Sequence, residues 1–410
     1  MPSAPPGVNH RLAWLVVGLL VPVALLNYLD RQMLAAMKSS MMGDIPDIAS
    51  HANWGIVLGS FKWVYAILSP IGGYFADRIS RRWVIVASLA IWSAVTWATG
   101  HVRSFDELIA ARAIMGVSEA FYIPAALALI ADFHFRQTRS RAIGFHQMGI
   151  YAGIILGGFA GYVADEPSLG WRWAFSVCGV VGLLYALPLL VLLRDPPRAA
   201  NGEPPPSPVA AIGELLGNAG FLLLVLYFTL PAMAGWVVKD WMPDILKQQF
   251  GLGQGKAGLS AVLYVQLASL VGVGLGGWLA DGWMRRSTRG RIFVSAIGMS
   301  LFLPALFGIG QAATLAVAIG FLMLFGLGWG FFDCNNMPIL CQIVRPQLRA
   351  TGYGIMNLVS ISCGGVADWG FGVLRDRQVP LNVIFGVFAA TALLSVCIVL
   401  MIRPRPAPDA

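Results

Sequence analysis

Two opposite charges stand side by side, Asp30 and Arg31, inside an apolar run that extends from Leu12 to Met37. A charged side chain at the centre of a bilayer costs roughly 2.5–3.5 kcal/mol on insertion scales, so such residues normally pair and face the interior of a helix bundle. The run is long enough to cross a membrane as one helix. The pair therefore indicates a polar site inside a membrane protein.

A second apolar run supplies candidate partners for these charges. It extends from Leu108 to Ile130 and contains Arg112 and Glu119, whose spacing puts both side chains on one face of an α-helix, about two turns apart. A third run contains Lys62. Ionisable groups concentrated in the first third of a membrane protein favour transport, and a structural ion-pair network is the alternative.

The balance of these charges indicates a coupled anion transporter. With Asp30 and Glu119 both ionised, the three cations exceed the two carboxylates by one, and protonation of either carboxylate increases that excess. An anion is then favoured by a neighbouring proton, and a carboxylate that loses its arginine to substrate tends to keep its proton. We therefore predict Asp30 and Glu119 as proton-coupling residues, with Arg112 as the switch between them and substrate. The predicted substrate-binding residues are Arg31, Lys62, Tyr65, Arg112, Tyr353, Asn357 and Ser360.

The composition is that of a membrane protein, with 57% hydrophobic residues, 12% charged residues and a mean hydropathy of +0.71. A helix of roughly 20 apolar residues crosses a hydrocarbon core of about 30 Å, and backbone groups in lipid must be paired internally. We therefore predict an all-α membrane protein with twelve transmembrane helices in two six-helix halves. The predicted spans are 12–37, 54–76, 83–101, 106–131, 141–164, 172–193, 219–240, 258–280, 291–310, 313–340, 350–374 and 380–402.

The basic residues of the loops predict the orientation. Alternate loops carry most of the arginines, and the positive-inside rule places those loops and both termini in the cytoplasm. The predicted location is the plasma membrane, or the inner membrane if the protein is bacterial. The predicted cytoplasmic arginines are Arg11, Arg78, Arg81, Arg82, Arg136, Arg139, Arg141, Arg194, Arg198, Arg285, Arg286, Arg289, Arg291, Arg345, Arg349, Arg403 and Arg405.

A polar, proline-rich stretch divides the chain and separates two similar halves. We predict an N-terminal six-helix bundle at 1–193, a cytoplasmic linker at 194–218 and a C-terminal six-helix bundle at 219–410. The stretch from Gly73 to Arg82 returns from Gly277 to Arg286, and Arg141–Phe145 returns as Arg349–Tyr353. Parallel repeats of this kind place substrate near the bilayer midplane.

Several function classes are excluded or disfavoured. No phosphate-binding loop follows a strand, which excludes an ATP-driven pump, and we predict that the protein is not an enzyme and has no catalytic residues. The loop bias accounts for the formal charge of +8, so no nucleic-acid partner is expected. The five cysteines have no metal-site or disulfide spacing, and we predict no metal and no cofactor. The expected partners are a small organic anion, protons and the lipid bilayer, and the predicted state is a monomer.

The loop Gly73-Tyr-Phe-Ala-Asp77-Arg78-Ile-Ser-Arg81-Arg82, its degenerate copy at Gly277–Arg286 and the layout of six plus six spans resemble the major facilitator superfamily. The resemblance covers essentially the whole chain. It implies that this loop and its copy form a cytoplasmic gate, although Gly282 replaces the arginine that follows the aspartate in the copy. The gate residues so implied are Asp77, Arg78, Arg81, Asp281 and Arg285.

Four shorter segments resemble the anion:cation symporter family, which includes sialin-like, vesicular-glutamate-like and sugar-acid transporters. They are Asn27-Tyr-Leu-Asp-Arg31, the Arg112–Ala120 segment, Trp241-Met-Pro243 and Gly352-Tyr-Gly-Ile-Met-Asn357. This resemblance implies proton-coupled symport, by alternating access, of a monocarboxylate or a sugar acid such as a hexonate, a hexuronate or sialic acid. The same Asp-Arg and Arg/Glu pairs occur in spinster-type transporters, so a carrier of lysophospholipid or sphingoid lipid is the alternative.

Two further polar positions have open interpretations. Asp333 either lines an exit path or caps a helix break before Pro338. His146 and Gln147, in the fifth predicted span, either face the cavity or pack between helices.

Overall fold

The computed structural model describes residues 10–134, 138–195, 207–345 and 348–404, without the side chains of 73–78, 139, 140, 208 and 350. Within these residues the regular elements are all helical, which confirms the predicted all-α class. A short 3₁₀ turn, Pro46–Ala49, precedes the third helix. The helices are α1 (His10–Ala36), α2 (Lys38–Asp44), α3 (His51–Arg78), α4 (Arg81–Thr99), α5 (Phe105–Glu119), α6 (Tyr122–Phe133), α7 (Arg139–Gly158), α8 (Ala160–Asp165), α9 (Gly170–Leu192), α10 (Pro208–Leu216), α11 (Ala219–Phe250), α12 (Gln254–Met284), α13 (Gly290–Ile309), α14 (Leu315–Ile343), α15 (Arg349–Asp376) and α16 (Leu381–Met401).

Eleven helical stretches of the described residues are long and apolar enough to cross a bilayer. Each overlaps one of the predicted spans. The helix α15 overlaps the remaining predicted span, 350–374, but is not among the eleven.

The chain forms two compact units. Unit 1 comprises Met1–Ala49, Ser60–Gly202 and Leu252–Leu259, and unit 2 comprises Ser50–Gly59, Glu203–Gly251 and Ser260–Ala410. Each unit thus includes a short segment from the opposite half of the sequence. Part of the predicted linker is helical, because α10 begins after Ser207, whose hydroxyl accepts a hydrogen bond from the Ala210 N–H. The boundaries 1–193 and 219–410 stay a prediction.

In unit 1, α1 and α7 approach each other very closely. A Cβ atom on Gly153 would lie 2.2 Å from the carbonyl oxygen of Leu25, and one on Gly157 would lie 2.6 Å from that of Leu29. Only glycine permits this approach, a common basis of helix packing in membranes. The glycines of α7 therefore fix the position from which α1 presents Asp30.

The predicted fourth span is two helices rather than one, because α5 ends at Glu119 and α6 begins at Tyr122. Pro124 has no N–H and cannot bond the carbonyl of Ala120, so the helix is interrupted there. Gly72 of α3 fits against that carbonyl, since a Cβ on Gly72 would lie 2.6 Å from the Ala120 oxygen. The interruption places Glu119 at a helix end inside unit 1.

In unit 2, α11 is longer than the predicted span 219–240. The prediction ended at the charges Lys239 and Asp240, but Asp240 is buried and the helix continues to Phe250. It ends at Gly251, whose left-handed φ of 63° lets its N–H bond the Lys247 carbonyl. Charge thus marked the edge of the apolar run and not the end of the helix.

Candidate functional site

The five ionisable residues predicted inside the membrane are all buried in unit 1. The exposed fractions are 1% for Asp30, 9% for Arg31, 3% for Lys62, 3% for Arg112 and 0% for Glu119. Lys62 therefore lies inside unit 1 and does not extend along its surface. Such burial of charge is tolerated only with close partners.

Arg31 of α1 and Glu119 of α5 form a buried ion pair. The Arg31 Nε donates to Glu119 Oε2 at 2.6 Å, and Nη2 pairs with the same oxygen. Nη2 also donates to Asn27 Oδ1, one turn earlier on α1, at 3.1 Å. Because bonds from two helices hold the guanidinium, its orientation is fixed before any ligand binds.

Three aromatic rings surround the Arg31 guanidinium. Its Cζ lies 4.5 Å from the ring centre of Phe61, 4.8 Å from that of Tyr28 and 5.1 Å from that of Tyr65. Guanidinium groups are weakly hydrated and stack well on aromatic faces, so these rings stabilise the cation inside the unit. Tyr65, predicted as a substrate-binding residue, thus lies beside Arg31.

Asp30 is held by a threonine that can serve both of its protonation states. Thr96 Oγ1 lies 2.9 Å from Asp30 Oδ2 and 2.9 Å from the Trp92 carbonyl oxygen. A hydroxyl carries one proton, which it donates to an ionised Asp30. A protonated Asp30 instead donates to Thr96, whose hydroxyl then donates to Trp92.

Each carboxylate keeps one oxygen without a hydrogen-bond partner among the described residues. These oxygens are Asp30 Oδ1 and Glu119 Oε1, both fully buried. A buried, unsatisfied polar atom costs about 1–3 kcal/mol. A water molecule or a ligand that donates a hydrogen bond to either oxygen would remove that cost.

Arg112 lies in the same region and shares an aromatic neighbour with Arg31. Its Cζ is 4.7 Å from the centre of the Phe61 ring, and its Nη1 lies 3.0 Å from Met115 Sδ. Asp30 is within electrostatic range of Arg112, Arg31 and Glu119. The sequence predicted Arg112 as the switch, and the structure adds Arg31, which holds Glu119 directly.

Sequence reasoning missed a hydrogen-bonded brace at Pro22 of α1. The Tyr122 hydroxyl donates to the carbonyl of Leu20 at 3.2 Å, so His146 Nε2, 2.9 Å from that hydroxyl, is the donor to it. Pro22 weakens helix bonding at this level of α1. Of the two interpretations offered for His146, the structure shows packing between helices, with the ring buried and bonded to Tyr122.

In unit 2, the predicted binding residues share one face of α15. Tyr353, Asn357 and Ser360 follow the spacing i, i+4, i+7. Ser360 is buried, whereas Tyr353 and Asn357 are half-buried, and the Tyr353 ring lies 6.4 Å from Phe228 of α11. Their spacing and burial suit a polar stripe on one helix.

The structure of α14 contradicts one of the two interpretations offered for Asp333, the cap of a helix break, while the exit path stays a prediction. The helix continues through Pro338 without interruption, so Asp333 does not cap a break, and its side chain is exposed. Asn335 and Asn336 are buried, and neither amide atom of Asn336 has a hydrogen-bond partner among the described residues. Asn336 is therefore a buried amide of this helix with neither polar atom satisfied among the described residues.

A profile of the Major Facilitator Superfamily matches residues 20–367, which is most of the chain. The chain belongs to the major facilitator superfamily. It is a multi-pass membrane transporter, consistent with the predicted plasma or inner membrane location.

The similar superfamily members include several spinster proteins. Protein spinster of Drosophila melanogaster is 27% identical over 389 residues, which are 89% of this chain and 63% of that protein, so the chain spans less than two thirds of this relative. Protein spinster homolog 1 of Mus musculus is 28% identical over 401 residues, which are 90% of this chain and 74% of the relative. These matches support the spinster-type features of the sequence.

Two solved structures show the same superfamily fold. Both are of a bacterial homologue to the human lysosomal transporter spinster, in inward-facing conformations. The unoccupied form gives a TM-score of 0.79 at 21% identity and covers 97% of this chain and 100% of its own. The occupied form gives a TM-score of 0.76 at 21% identity and covers 96% of each chain.

The superfamily's gate loop is only partly within the described residues. The side chains of Asp77 and Arg78 lie outside them. Arg81 pairs with Asp132 and donates to the Ala128 carbonyl at 3.3 Å, so it joins α4 to α6 inside unit 1. The role of these residues as a gate stays a prediction.

The second copy of the loop is exposed. The Asp281 side chain is 77% exposed, and its Oδ1 lies 3.9 Å from Arg291 Nη2. Arg285 is exposed.

Proposed function

We propose that this protein is a proton-coupled secondary transporter that moves a lysophospholipid, or a related single-chain phospholipid, across the bilayer by alternating access. The observation that carries the proposal is the buried Arg31–Glu119 ion pair beside Asp30. The similarity to spinster proteins over about nine tenths of the chain supports the lipid over a small organic acid.

Protonation of Glu119 is the step that couples the proton to the substrate. Once Glu119 is neutral, Arg31 loses its charged partner and attracts another anion. A phosphate oxygen pair matches the fork of a guanidinium, and the rings around Arg31 keep that fork in place. Deprotonation of Glu119 restores the ion pair and releases the substrate. Asp30 provides the second proton site through Thr96.

The charge of the site selects among single-chain lipids. Arg31, Lys62 and Arg112 are all buried in unit 1 and outnumber the two carboxylates there. A free sphingoid base is a cation and is disfavoured by this excess, whereas a headgroup that contains phosphate is favoured. Phe61, Tyr28 and Tyr65 offer apolar surface next to the cation, as an amphiphile requires.

We also propose the finer topology. The helix α15 is 28 residues long, which at about 1.5 Å per residue is enough to cross a bilayer, and we assign it as the twelfth span. Its polar residues Asn357, Ser360 and Asp368 account for its lower apolar character. Both termini are cytoplasmic, the bundles are 1–193 and 219–410, and the transporter acts as a monomer.

A small organic anion is the second candidate substrate. The motif from Asn27 to Arg31 favours a monocarboxylate or sugar acid equally well, as does the excess of one cation among Asp30, Arg31, Lys62, Arg112 and Glu119. Both candidates use the same cations, and they differ in whether an apolar chain contributes to binding.

The two candidates are separated in one reconstituted system. Liposomes that contain the protein carry a fluorescent lysophospholipid in the outer leaflet, and albumin extraction measures how much has moved inward under an inward proton gradient. The same vesicles are tested with a labelled hexonate. We expect lysolipid movement that a protonophore abolishes. Hexonate accumulation without lysolipid movement would establish the second candidate, and movement unaffected by the protonophore would contradict proton coupling.

A further inference from the structure

The carboxylate of Asp376, at the end of α15, caps the first turn of α3. Its Oδ1 accepts from the His51 N–H at 2.9 Å, and its Oδ2 accepts from the Ala52 N–H at 2.8 Å and the Ser50 hydroxyl at 2.9 Å. The His51 ring also contacts Oδ1, at 2.9 Å. A helix N-terminus is normally capped by its own chain neighbour, so this cap from another helix joins α3 to α15 within unit 2.

These bonds keep Asp376 ionised. Burial acts to raise the pKa of the Asp376 carboxyl, but the hydrogen bonds from Ala52, His51 and Ser50 outweigh it and lower the pKa to about 2. The positive end of the α3 dipole favours the same charged form. The cap is therefore intact throughout the physiological pH range.

An equivalent cap occurs in unit 1, at the end of α8. Asp165 Oδ2 accepts from the Gly255 N–H at 3.1 Å, and Oδ1 accepts from Gln254 Nε2 at 2.9 Å. Gln254 Nε2 also donates to Ser40 Oγ at 2.8 Å. The first turn of α12 is thus held by an aspartate of the other sequence half, as the first turn of α3 is.

The two caps occupy corresponding places in the sequence repeat. His51 and Gly255 are separated by the same offset as Asp77 and Asp281 in the gate loops. Asp376 ends α15, which begins at the repeated Arg349 segment, and Asp165 ends α8, which follows α7 and its repeated Arg141 segment. All four capping positions lie on the side opposite the predicted cytoplasmic loops.

Helix backbones lie close together at each cap. A Cβ on Gly372 would lie 2.1 Å from the His51 carbonyl oxygen, and one on Gly55 would lie 2.6 Å from that of Asp368. In unit 1, a Cβ on Gly161 would lie 2.5 Å from the Gln254 carbonyl. At each contact the carboxylate adds directional hydrogen bonds between the two helices.

We propose that Asp165 and Asp376 are paired outer latches. Each holds the first turn of a helix from the other half of the sequence, and both caps open when the outer ends of these helices separate during the transport cycle. The proposal rests on the alternating access proposed above. Because a cap consists of a few bonds at a partly exposed carboxylate, a cycle can break and remake it.

Hydrogen–deuterium exchange of the purified protein tests the caps without any substrate. The variants are Asp376→Asn and Asp165→Asn, and Asp106→Asn is the control, because Asp106 is an exposed aspartate on the same predicted side. Loss of a cap should speed exchange by about 3- to 30-fold at its own site only. Asp376→Asn should speed exchange at the His51 and Ala52 amides, and Asp165→Asn should speed exchange at the Gly255 amide. Unchanged exchange at both sites in the double variant would overturn the proposal.

A reversible disulfide then tests whether a latch must open. Ser50→Cys with Asp376→Cys, in a background whose five native cysteines are replaced by alanine, should crosslink because the native side chains meet at 2.9 Å. Oxidation should reduce uptake at least about tenfold, and reductant should restore it. The control pair is Ser104→Cys with Glu107→Cys, within the first turn of α5, where oxidation should not affect uptake.

The outcomes separate the latches from the proposed function. Full uptake by the crosslinked protein, or failure of the folded protein to crosslink, would overturn the latch at Asp376. If the wild type moves neither lysophospholipid nor hexonate, the proposed function fails, while the exchange measurement still decides whether Asp165 and Asp376 hold the two helix ends.

Discussion

The buried charges of the two units differ in sign. Among the described residues, the buried cations lie in unit 1, together with Asp30 and Glu119. The buried charged residues of unit 2 are acidic, namely Asp240, Asp244 and Asp368. The buried cations of unit 1 are Arg31, Lys38, Lys62 and Arg112.

This difference indicates that the two units have different functions although their sequences repeat. The two halves share loop motifs, yet among the described residues only unit 1 combines buried cations with buried acids. We infer that unit 1 holds the anionic headgroup and the coupling proton. Unit 2 offers amides and hydroxyls such as Asn336, Asn357 and Ser360, which bind without a change of charge.

The largest expected effect comes from breaking the ion pair of unit 1. Arg31→Ala leaves Glu119 buried without its partner, which costs about 3–5 kcal/mol of folding stability. It also removes the cation proposed to hold the anionic headgroup, so uptake should drop at least about 100-fold. Arg31→Lys should fail nearly as badly, because an ammonium cannot reproduce the bonds to Glu119 and Asn27 together. Uptake by reconstituted variants measures this, with the exposed Arg103→Lys as control. Half of wild-type uptake in Arg31→Lys would contradict the assigned role.

In unit 2, the asparagine pair on α14 should give effects of opposite sign. Asn336→Leu removes two buried, unsatisfied atoms and should stabilise the protein by about 1–3 kcal/mol. Asn335→Leu removes the bond from Nδ2 to the Phe331 carbonyl, 2.9 Å long, and should not stabilise. Thermal unfolding in detergent compares them. Equal destabilisation by both changes would mean that Asn336 has a structural partner.

A smaller effect is expected at the threonine that serves Asp30. Thr96→Val keeps the shape but removes the hydroxyl shared by Asp30 and the Trp92 carbonyl, so uptake should drop about 5- to 30-fold. Thr96→Ser keeps the hydroxyl and should retain most of the activity. Equal activity of the valine and serine variants would show that Asp30 does not need this bond.

The smallest effect concerns the cap of unit 2 and its pH dependence. A carboxyl whose pKa is lowered to about 2 stabilises the folded protein above its ordinary pKa of about 3.9, and loses that effect as the pH falls through 2. At pH 7 to 8, Asp376→Asn should therefore lower the free energy of unfolding by a small amount, on the order of 1 kcal/mol, which thermal unfolding detects as a lower melting temperature. The difference should shrink as the pH falls below about 4. The control Asp106→Asn should have the same stability as the wild type. A loss of stability in Asp376→Asn that occurs only at high pH would contradict the role of Asp376 as a cap.

Much of the fold was predictable because a bilayer imposes long apolar helices. The five charged residues inside those helices were also evident from the sequence, and all of them are buried in unit 1, as a polar site requires. The partner of Glu119 was not predictable, because it depends on how α1 is rotated against α5. The interruption of the fourth span could have been predicted from Pro124, whose missing N–H leaves the Ala120 carbonyl unpaired.

Other residues with a role in the site or at the caps cannot be recognised from a single sequence. A single threonine in an apolar run, such as Thr96, is common, and only the distance to Asp30 gives it a role. Asp165 and Asp376 look like ordinary loop acids at helix ends. Their function as caps depends on helices far away in the chain.

The central claim is that Glu119 carries the proton that accompanies substrate, and proton flux in proteoliposomes tests it most directly. A pH-sensitive dye trapped inside should report acidification when lysophospholipid is added to wild-type vesicles. Glu119→Gln should abolish this signal and all gradient-driven uptake, while exchange of labelled for unlabelled substrate persists, because the amide copies the protonated acid but cannot release a proton. If vesicles that contain the Glu119→Gln variant acidify as wild-type vesicles do, Glu119 does not carry the coupled proton.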